Sequence, residues 1–349
     1  MIISAVGRVL PVHGYRQDEL TAAMQRVWAG QSLKLERLQQ IHQNVQVAER
    51  HLALPLEELV ALHSFTEANQ AYIRVGTELA QRALEDALSH AGLGAGDLDH
   101  LFLTTTTGVA TPSIDALLMN RMELRRDLKR TPLFGLGCVA GAAGIARAAD
   151  CLAGRPGDIA ALISVELCSL TAQWDDTSLV NYIASGLFGD GAAAVILQGD
   201  DRPAEGPRVL ATRSVFYPET EHLMGWEIGS HGFRLLLSAD VPRVIAEHLG
   251  DDVDRFLADQ GLERDALSSF VCHPGGPRVL EAIQQALGLD PQALAPSWQS
   301  LKRIGNLSSA SILFILGDVM ADHRPQPGSL GLMLAMGPAF CSELLLLEW

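Results

Sequence analysis

Cys138 is the side chain whose type and surroundings best fit nucleophilic chemistry. It lies in the segment LFGLGCVAG (133–141). A short apolar run before it predicts a strand, and an alanine-rich segment after it predicts a buried helix. A thiol at the start of a helix faces the positive end of the helix dipole, which lowers its pKa and favours the thiolate. A cysteine in an apolar segment is more often a small core residue, but the flanking glycines permit a sharp turn that exposes the sulfur. The other cysteines lack such a turn and are predicted to be structural: Cys151, Cys168, Cys272 and Cys341.

His273 and Asn306 are the candidate partners of this thiol. His273 follows a predicted strand, 270–272, and side chains at the carboxyl ends of strands point into the ligand crevices of α/β folds. It could act as a base toward Cys138 or donate a hydrogen bond to a developing oxyanion. Asn306 could cap the helix that follows, or its amide could orient the imidazole or complete an oxyanion hole. Several other histidines lie in helical or polar stretches and are predicted to be solvated: His42, His51, His63, His90 and His222.

Strands that alternate with helices must position these groups. Periodicity predicts helices over 18–50, 67–92, 115–124, 139–154, 240–257, 278–287 and 308–322. It predicts strands over 98–106, 133–136, 159–165, 192–197 and 270–272, and two more at the C-terminus. This alternation predicts an α/β fold in which helices cover buried sheets. The polar stretch 199–208 predicts a boundary between an N-terminal half, 1–205, and a C-terminal half, 206–349.

Composition excludes several classes of protein. The 349 residues include 26 basic and 41 acidic side chains, and the net charge of −15 argues against binding to a nucleic-acid backbone. Mean hydropathy is +0.16, yet the chain has no uncharged apolar run of about 18 residues, so we expect no membrane span. The apolar N-terminus predicts a strand and not a signal peptide. Five cysteines without CxxC spacing predict neither a metal site nor a disulfide framework, and hence a cytoplasmic protein.

Several long motifs resemble the type III polyketide synthases, relatives of plant chalcone synthase with the thiolase fold. In chain order they are GLGCVAGAAGIARAAD, ASGLFGDGAAAVIL (184–197), CHPGGP (272–277), GNLSSASILFIL (305–316) and the terminal AMGPAFCSELLLL. The resemblance implies a thiolase-like αβαβα layered sandwich built from two similar halves, in a homodimer. It also implies a Cys138–His273–Asn306 triad, no metal or cofactor, and coenzyme A thioesters as substrates.

The same resemblance implies a set of substrate-binding positions. Phe188 and Phe233 match the two gatekeeper phenylalanines of the family, although without the family they would be interpreted as core aromatics. The remaining implied substrate-binding residues are Thr111, Thr171, Met224, Ser308, Gly275, Gly276 and Arg37.

Four positions in or near this set depart from the plant enzymes. Thr111 stands where they carry a methionine that reaches the neighbouring subunit's pocket, which implies a roomier cavity. Met224 replaces a small pocket residue and could partly refill that space. Of three positions that are basic in plants, Arg37, Gln40 and Asn44, only the first keeps its charge.

The implied reaction is iterative. The Cys138 thiolate, paired with protonated His273, takes a starter acyl group from coenzyme A. Malonyl-CoA then loses carbon dioxide, and His273 and Asn306 hold the enolate oxygen while the enolate attacks the acyl thioester. The gatekeepers exclude water, and repeated extension ends in cyclisation.

The identity of the starter has two interpretations. The small Thr111 favours a medium or long fatty acyl-CoA starter and an alkylpyrone or alkylresorcinol product, and this is the preferred interpretation. The stretches LFGLGCVAGAAGIAR and SVELCSLT equally resemble tetrahydroxynaphthalene synthases, which use malonyl-CoA alone.

Other classes of function fit less well. A 3-oxoacyl-carrier-protein synthase III-like enzyme would need a basic docking patch, which a chain of net charge −15 does not obviously display. A non-catalytic thiolase-fold subunit predicts the loss of a triad residue, and all three are present. A papain-like hydrolase predicts a secreted protein with disulfides.

Overall fold

Helices and strands alternate along the computed structural model, which describes residues 1–29 and 35–349. The helices are α1 (Gln17–Val27), α2 (Leu35–Asn44), α3 (Leu56–Val60), α4 (Phe65–Ala91), α5 (Ile114–Leu118), α6 (Ala140–Ala153), α7 (Leu179–Leu187), α8 (Val241–Ala258), α9 (Pro277–Leu287), α10 (Ala295–Ile304) and α11 (Ser311–Asp322). The strands are β1 (Ile2–Val9), β2 (His13–Arg16), β3 (Glu49–Leu52), β4 (His100–Thr105), β5 (Lys129–Phe134), β6 (Ile159–Leu167), β7 (Asp190–Gln198), β8 (Arg208–Phe216), β9 (Met224–Gly229), β10 (Gly232–Leu237), β11 (Leu267–Cys272), β12 (Leu330–Gly337) and β13 (Cys341–Glu348).

One large sheet runs through the described part of the chain. Its nine strands follow the order β11-β12-β13-β8-β1-β7-β6-β4-β5. The sheet consists of two blocks, β11-β12-β13-β8 and β1-β7-β6-β4-β5. They meet where β1 lies antiparallel to β8, with a single register pair between Ile2 and Arg208. β4, β5 and β6 are parallel to one another, and so are β11 and β12, but the antiparallel pairs between the two groups make them run in opposite directions along the sheet. The predicted division at residues 205 and 206 falls between β7 and β8 and stays a prediction.

Three apolar cores separate the layers of the fold. The first lies between α4 and the block β1-β7-β6-β4, and the second holds α6 and α11 between the two blocks. The third lies between β11–β13 and the pair α8 and α9. The layers of the fold are therefore, in order, helix, sheet, helix, sheet and helix. The αβαβα sandwich predicted from the sequence is confirmed.

The unbroken apolar run of β6 reflects this layering. Ala161, Ile163 and Val165 face the first core, while Ala160 and Leu162 face the second. Successive side chains of a strand point to opposite faces, so a strand buried on both faces needs apolar residues throughout.

The predicted helix 67–92 is confirmed as α4. The Ser64 hydroxyl accepts a hydrogen bond from the Glu67 backbone N–H, and Gly92 ends the helix in the left-handed conformation. A run of small and apolar residues lies against the sheet, which accounts for the clear periodicity.

Two sequence expectations are wrong. The span 18–50, predicted as helical, contains α1, α2 and β3, and residues 30–34 of that prediction lie outside the described residues. The hairpin of β9 and β10 was not predicted, although the glycines of GSHG (229–232) mark its turn. Among the residues that the structure describes, no helix is both long and apolar enough to cross a bilayer.

Candidate active site

Cys138 lies in a single 3-10 turn, Gly137–Val139, between the end of β5 and the start of α6. Gly137 has φ of 54°, and a Cβ there would lie 2.5 Å from the Pro338 ring, so only glycine fits. At Gly141 a Cβ would overlap the Ser309 carbonyl oxygen, so glycine lets α6 approach the Ser308–Ala310 turn. This approach places Cys138 Sγ 3.5 Å from Ser308 Oγ.

His273 follows the carboxyl end of β11, beside the parallel strand β12. Its backbone N–H donates to the Leu334 carbonyl over 2.9 Å, which extends the pairing with β12 by one residue. The side chain is only 4% exposed. Within residues 1–29 and 35–349, neither ring nitrogen has a hydrogen-bond partner. A buried imidazole without a partner is available to a ligand.

Asn306 lies between α10 and the Ser308–Ala310 turn. Its backbone N–H donates to the Leu187 carbonyl over 2.9 Å, and its carbonyl accepts from the Gly189 N–H over 3.0 Å. Its side-chain Oδ1 accepts from the Ser308 N–H over 2.8 Å, and Nδ2 donates to the Gly275 carbonyl over 3.4 Å. The oxygen therefore caps the turn, while the amide nitrogen retains a second proton for a ligand.

Cys138, His273 and Asn306 line one cavity of about 60 Å³. The structure brings four more of the residues implied by the resemblance into its walls, namely Phe188, Met224, Ser308 and Gly275. Apolar residues of β12 and of the β9–β10 hairpin form most of the remaining surface. Little water shields the polar groups in such a site, and their interactions with a developing charge are therefore strong.

Burial disfavours the charged forms of the thiol and the imidazole. It raises the pKa of Cys138 to about 12, although the Ser308 hydroxyl opposes this rise and the buried Glu166 carboxyl adds to it. It lowers the pKa of His273 to about 3. Burial thus favours the neutral form of each group taken alone, and the predicted pairing of a thiolate with a protonated imidazole stays a prediction. For the thiol alone, the cost of removing its charge from water outweighs the helix dipole.

The other implied substrate-binding residues lie outside this cavity. Thr171 lines an adjoining cavity of about 50 Å³, which shares Phe188 with the first. Thr111 and Arg37 are exposed, and Gly276 begins α9 with φ of 145°. Their predicted roles in substrate binding stay predictions.

Phe233 does not line the Cys138 cavity, contrary to the expectation for a gatekeeper. It lines a separate cleft, and its ring centroid lies 5.6 Å from that of Phe65 and 5.9 Å from that of Trp226. Trp226 instead lines both the Cys138 cavity and the adjoining one. Trp226, paired with Leu235, and Phe233, paired with Ile228, lie on the same face of the hairpin, and Phe233 lies nearer to its turn and farther from Cys138.

Sequence reasoning missed two further wall residues. Cys168, predicted to be structural, lines both cavities at the end of β6. Thr106 lines the Cys138 cavity just after β4, and its hydroxyl accepts a hydrogen bond from the Trp226 indole over 3.1 Å. The position of Thr106 at the carboxyl end of a parallel strand was the available signal.

The predicted solvation of His42 is wrong. Its ring lies 2.8 Å from Thr21 Oγ1 and 3.1 Å from Ser185 Oγ, and burial lowers its pKa to about 3. A Cβ at Gly186 would lie 2.5 Å from this ring, so α7 packs directly on it. The buried histidine thereby supports the helix that ends at Phe188.

Comparison with known proteins places this geometry in a family. The model of the chalcone and stilbene synthase N-terminal domain matches residues 1–201, and that of the C-terminal domain matches residues 208–348. A 1,3,6,8-tetrahydroxynaphthalene synthase of Streptomyces peucetius subsp. caesius is 51% identical over 350 residues, which cover 99% of this chain and 93% of that protein. A putative chalcone synthase of Bacillus subtilis is 34% identical over 358 residues, covering 99% of this chain and 98% of the relative.

A solved structure has the same architecture. The crystal structure of 1,3,6,8-tetrahydroxynaphthalene synthase from Streptomyces coelicolor A3(2), a bacterial type III polyketide synthase, superposes with a TM-score of 0.93. The match covers 100% of this chain and 99% of that one at 29% identity. This chain belongs to the chalcone and stilbene synthase family and is a type III polyketide synthase, a condensing enzyme of the acyltransferase type.

Proposed function

We propose that the enzyme condenses malonyl-CoA alone and cyclises the product to 1,3,6,8-tetrahydroxynaphthalene. The observation that carries this proposal is the 51% identity, over 99% of the chain, to a synthase of that product. This was the second interpretation of the sequence. The preferred fatty acyl starter depended on Thr111, which lies outside the cavities lined by Cys138 and Thr171.

The size of the cavity fits only the first, short acyl group, and its walls must move as the chain grows toward a naphthalene. A dry cavity that binds benzene has about 150 Å³, whereas the Cys138 cavity has about 60 Å³. Met224 and Trp226 occupy the wall where more space would be needed. A malonyl-derived unit needs less rearrangement of these walls than a long acyl tail does.

In the first step Cys138 acts as the nucleophile and His273 as the base. The thiol proton passes to the imidazole as sulfur attacks the thioester carbonyl, and the released coenzyme A thiolate takes up a proton. Both residues line one cavity, so the thiolate and the imidazolium that this transfer creates would stabilise each other and offset the burial that disfavours each charge alone.

In the second step His273 and Asn306 stabilise an enolate. Malonyl-CoA loses carbon dioxide, and the electron pair of the broken bond moves onto the enolate oxygen. An imidazole N–H and the Asn306 amide donate to that oxygen in a cavity with few other polar groups. The enolate carbon then attacks the acyl thioester on Cys138, and the C–S bond breaks to return sulfur to the enzyme.

We also propose that the enzyme is a homodimer that pairs through the edge of its sheet. The outer strand β5 has no neighbour on one side in the strand order, and the Phe134 side chain at its end is 52% exposed. An unpaired edge strand is a template for pairing with a second copy. Thr111, which is exposed, would then be available to the partner's pocket. Cytoplasmic localisation stays a prediction.

A single incubation tests the choice of starter. Purified enzyme receives malonyl-CoA alone, or malonyl-CoA with a series of acyl-CoA esters of increasing length, and product masses are measured. We expect tetrahydroxynaphthalene without any acyl-CoA. Products that form only with an acyl-CoA, and whose mass follows its chain length, would overturn the proposal.

A fatty acyl starter is the second candidate because of the adjoining cavity. Its far wall is apolar and includes Leu20, Met24 and Leu59. Phe188 and Trp226 separate it from Cys138. Trp226→Ala would join the two cavities, and the length of accepted acyl-CoA esters would then increase relative to the unchanged enzyme.

A further inference from the structure

Arg50 is a buried cation to which the proposed condensation gives no role. It lies in β3 and is only 3% exposed. Burial lowers its pKa to about 10, which leaves it charged at neutral pH. In the described part of the chain its Nη2 nitrogen has no hydrogen-bond partner. An unsatisfied donor on a buried charge costs stability, so the stability of the fold alone does not account for an arginine here.

The guanidinium contacts the backbone of the wall residue Phe188. Arg50 Nη1 donates to the Phe188 carbonyl oxygen over 2.8 Å, and Nε donates to Gln17 Oε1 over 3.0 Å. The Phe188 N–H donates to the Ala184 carbonyl oxygen over 3.1 Å at the end of α7. The helix thus holds the N–H of Phe188, and Arg50 holds its carbonyl. Phe188 lines both the Cys138 cavity and the adjoining cavity.

The stem of the same arginine lies against the residue that precedes Asn306. A Cβ at Gly305 would lie 3.3 Å from both Arg50 Cγ and Cδ. The Asn306 N–H donates to the Leu187 carbonyl oxygen over 2.9 Å, and a parallel bridge pairs Phe188 with Asn306. One side chain therefore packs against both segments of this bridge, the one with the apolar wall residue and the one with the amide donor.

The strand that carries Arg50 is itself fixed. Just before β3, the Ala48 N–H donates to the Lys302 carbonyl oxygen over 2.7 Å. Just after β3, the Ala53 N–H donates to Asp190 Oδ2 over 2.6 Å. The buried Asp190 carboxyl also attracts the guanidinium and favours its charged form. Arg50 is thus a rigid support and not a mobile surface cation.

We propose that Arg50 is a positioning residue that holds Phe188 and Asn306 in one arrangement during condensation. It lies behind the wall of the Cys138 cavity and acts through these two residues. The inference rests on the proposed roles of Asn306 as a donor to the enolate and of Phe188 in excluding water.

Displacement of the two residues should uncouple decarboxylation from condensation. When Phe188 no longer excludes water, the enolate carbon takes a proton from water and leaves hydroxide. Acetyl-CoA then forms in place of the new carbon–carbon bond. The ratio of acetyl-CoA to polyketide therefore reports the positioning directly. Loss of stability alone reduces the amount of folded enzyme, which lowers both products equally and leaves this ratio unchanged.

Two variants of the full-length enzyme test the proposal with malonyl-CoA as substrate and chromatography of both products. Arg50→Met removes the donor and the charge, and should raise the ratio of acetyl-CoA to polyketide at least about 10-fold, because a misplacement of about 1 Å can cost about 10²-fold. Arg50→Lys retains the charge but not the planar fork that reaches two acceptors, and should give a smaller rise. An unchanged ratio in whichever of the two variants folds would overturn the proposal.

Arg8 provides the matched control. Its Nη1 also donates to a backbone carbonyl, that of Phe314, over 3.3 Å, and it pairs with Asp318. These residues lie outside the walls of the Cys138 cavity. Arg8→Met and Arg8→Lys should leave the ratio unchanged, and a rise equal to that of the Arg50 variants would overturn the proposal. The ratio can be measured for any polyketide that the unchanged enzyme releases, so failure of the proposed product is distinguishable from failure of this inference.

Discussion

The two ends of α6 each hold a cysteine near a histidine, but they differ in how the polar groups are satisfied. At the Cys151 end His100 Nε2 lies 2.8 Å from Asp158 Oδ2, and the Cys151 sulfur lies against the ring, 3.5 Å from Nδ1 and 3.9 Å from Nε2. At the Cys138 end the His273 ring has no partner in the described part of the chain, and both residues line a cavity. Unpaired buried polar groups cost stability, so their presence indicates a place reserved for substrate.

Burial sharpens this difference. Around Cys138 it raises the pKa of the thiol to about 12, that of Glu166 to about 7, and lowers that of His273 to about 3. Every one of these groups is held in its neutral form more strongly than in water. A site that suppresses resting charge can respond strongly to charge that develops during a reaction.

The largest expected effect separates the two cysteines directly. Cys138→Ala should lower the rate of condensation by more than about 10³-fold, because it removes the atom that carries the acyl chain. Cys151→Ala should leave the rate unchanged. Product formation from malonyl-CoA measures both. Similar rates in the two variants would contradict the assignment of the nucleophile.

The next effect concerns the two donors to the enolate. His273→Ala and Asn306→Ala should each slow decarboxylation of malonyl-CoA by about 10²- to 10³-fold, as for other oxyanion donors. Release of carbon dioxide measures this step. The matched controls are His90→Ala and Asn120→Ala, whose side chains are exposed. Loss of activity in these controls, or its retention in the first pair, would show that the donors lie elsewhere.

A pH-dependent effect on stability should appear at the Cys138 end. Glu166 is buried, and its pKa is raised to about 7 from its ordinary value of 4.5. The folded state thus keeps this proton to higher pH than the unfolded state does. The contribution of the Glu166 carboxyl to the free energy of unfolding is therefore largest below pH 4.5 and is lost as pH rises through about 7.

Glu166→Gln should remove that slope. From pH 4.5 to 7 the free energy of unfolding of the unchanged protein should fall relative to the variant, by at most about 3 kcal/mol. Urea unfolding at a series of pH values measures the difference. A constant difference across this range would show that burial does not displace the pKa of Glu166. The buried histidines change the free energy of unfolding with pH in the opposite direction. Because both proteins contain these histidines, their contribution cancels in the difference.

The smallest expected effect compares glycines at the two ends of the helix. Gly141→Ala would press a methyl group onto the Ser309 carbonyl oxygen and should cost about 2 kcal/mol of unfolding free energy. Gly154→Ala, whose Cβ would meet its nearest atom at 4.0 Å, should change it by less than about 0.5 kcal/mol. Urea unfolding measures both. Equal losses would mean that the close approach at Gly141 does not constrain the helix.

Local patterns predicted the parts of the fold that are buried on defined faces. β6 was predicted from its apolar run because both of its faces are covered, and α4 from its stripe of small and apolar residues between Ser64 and Gly92. The β9–β10 hairpin escaped prediction because only one of its faces meets the cavity, which leaves a weak alternation in MGWEIG and GFRLLL. Its Trp226 was therefore missed as a wall residue, and the gatekeeper role of Phe233 stays a prediction.

The amino-acid order by itself determined the layered architecture, the motifs of the family, and the types and spacing of Cys138, His273 and Asn306. Only the tertiary structure decided which walls surround Cys138 and that burial opposes the charged form of its thiol. It also decided that His100 and Asp158 meet Cys151. The physical reason is that desolvation and side-chain contact depend on neighbours far apart along the chain, whereas periodicity reports only which face of its own element a residue occupies.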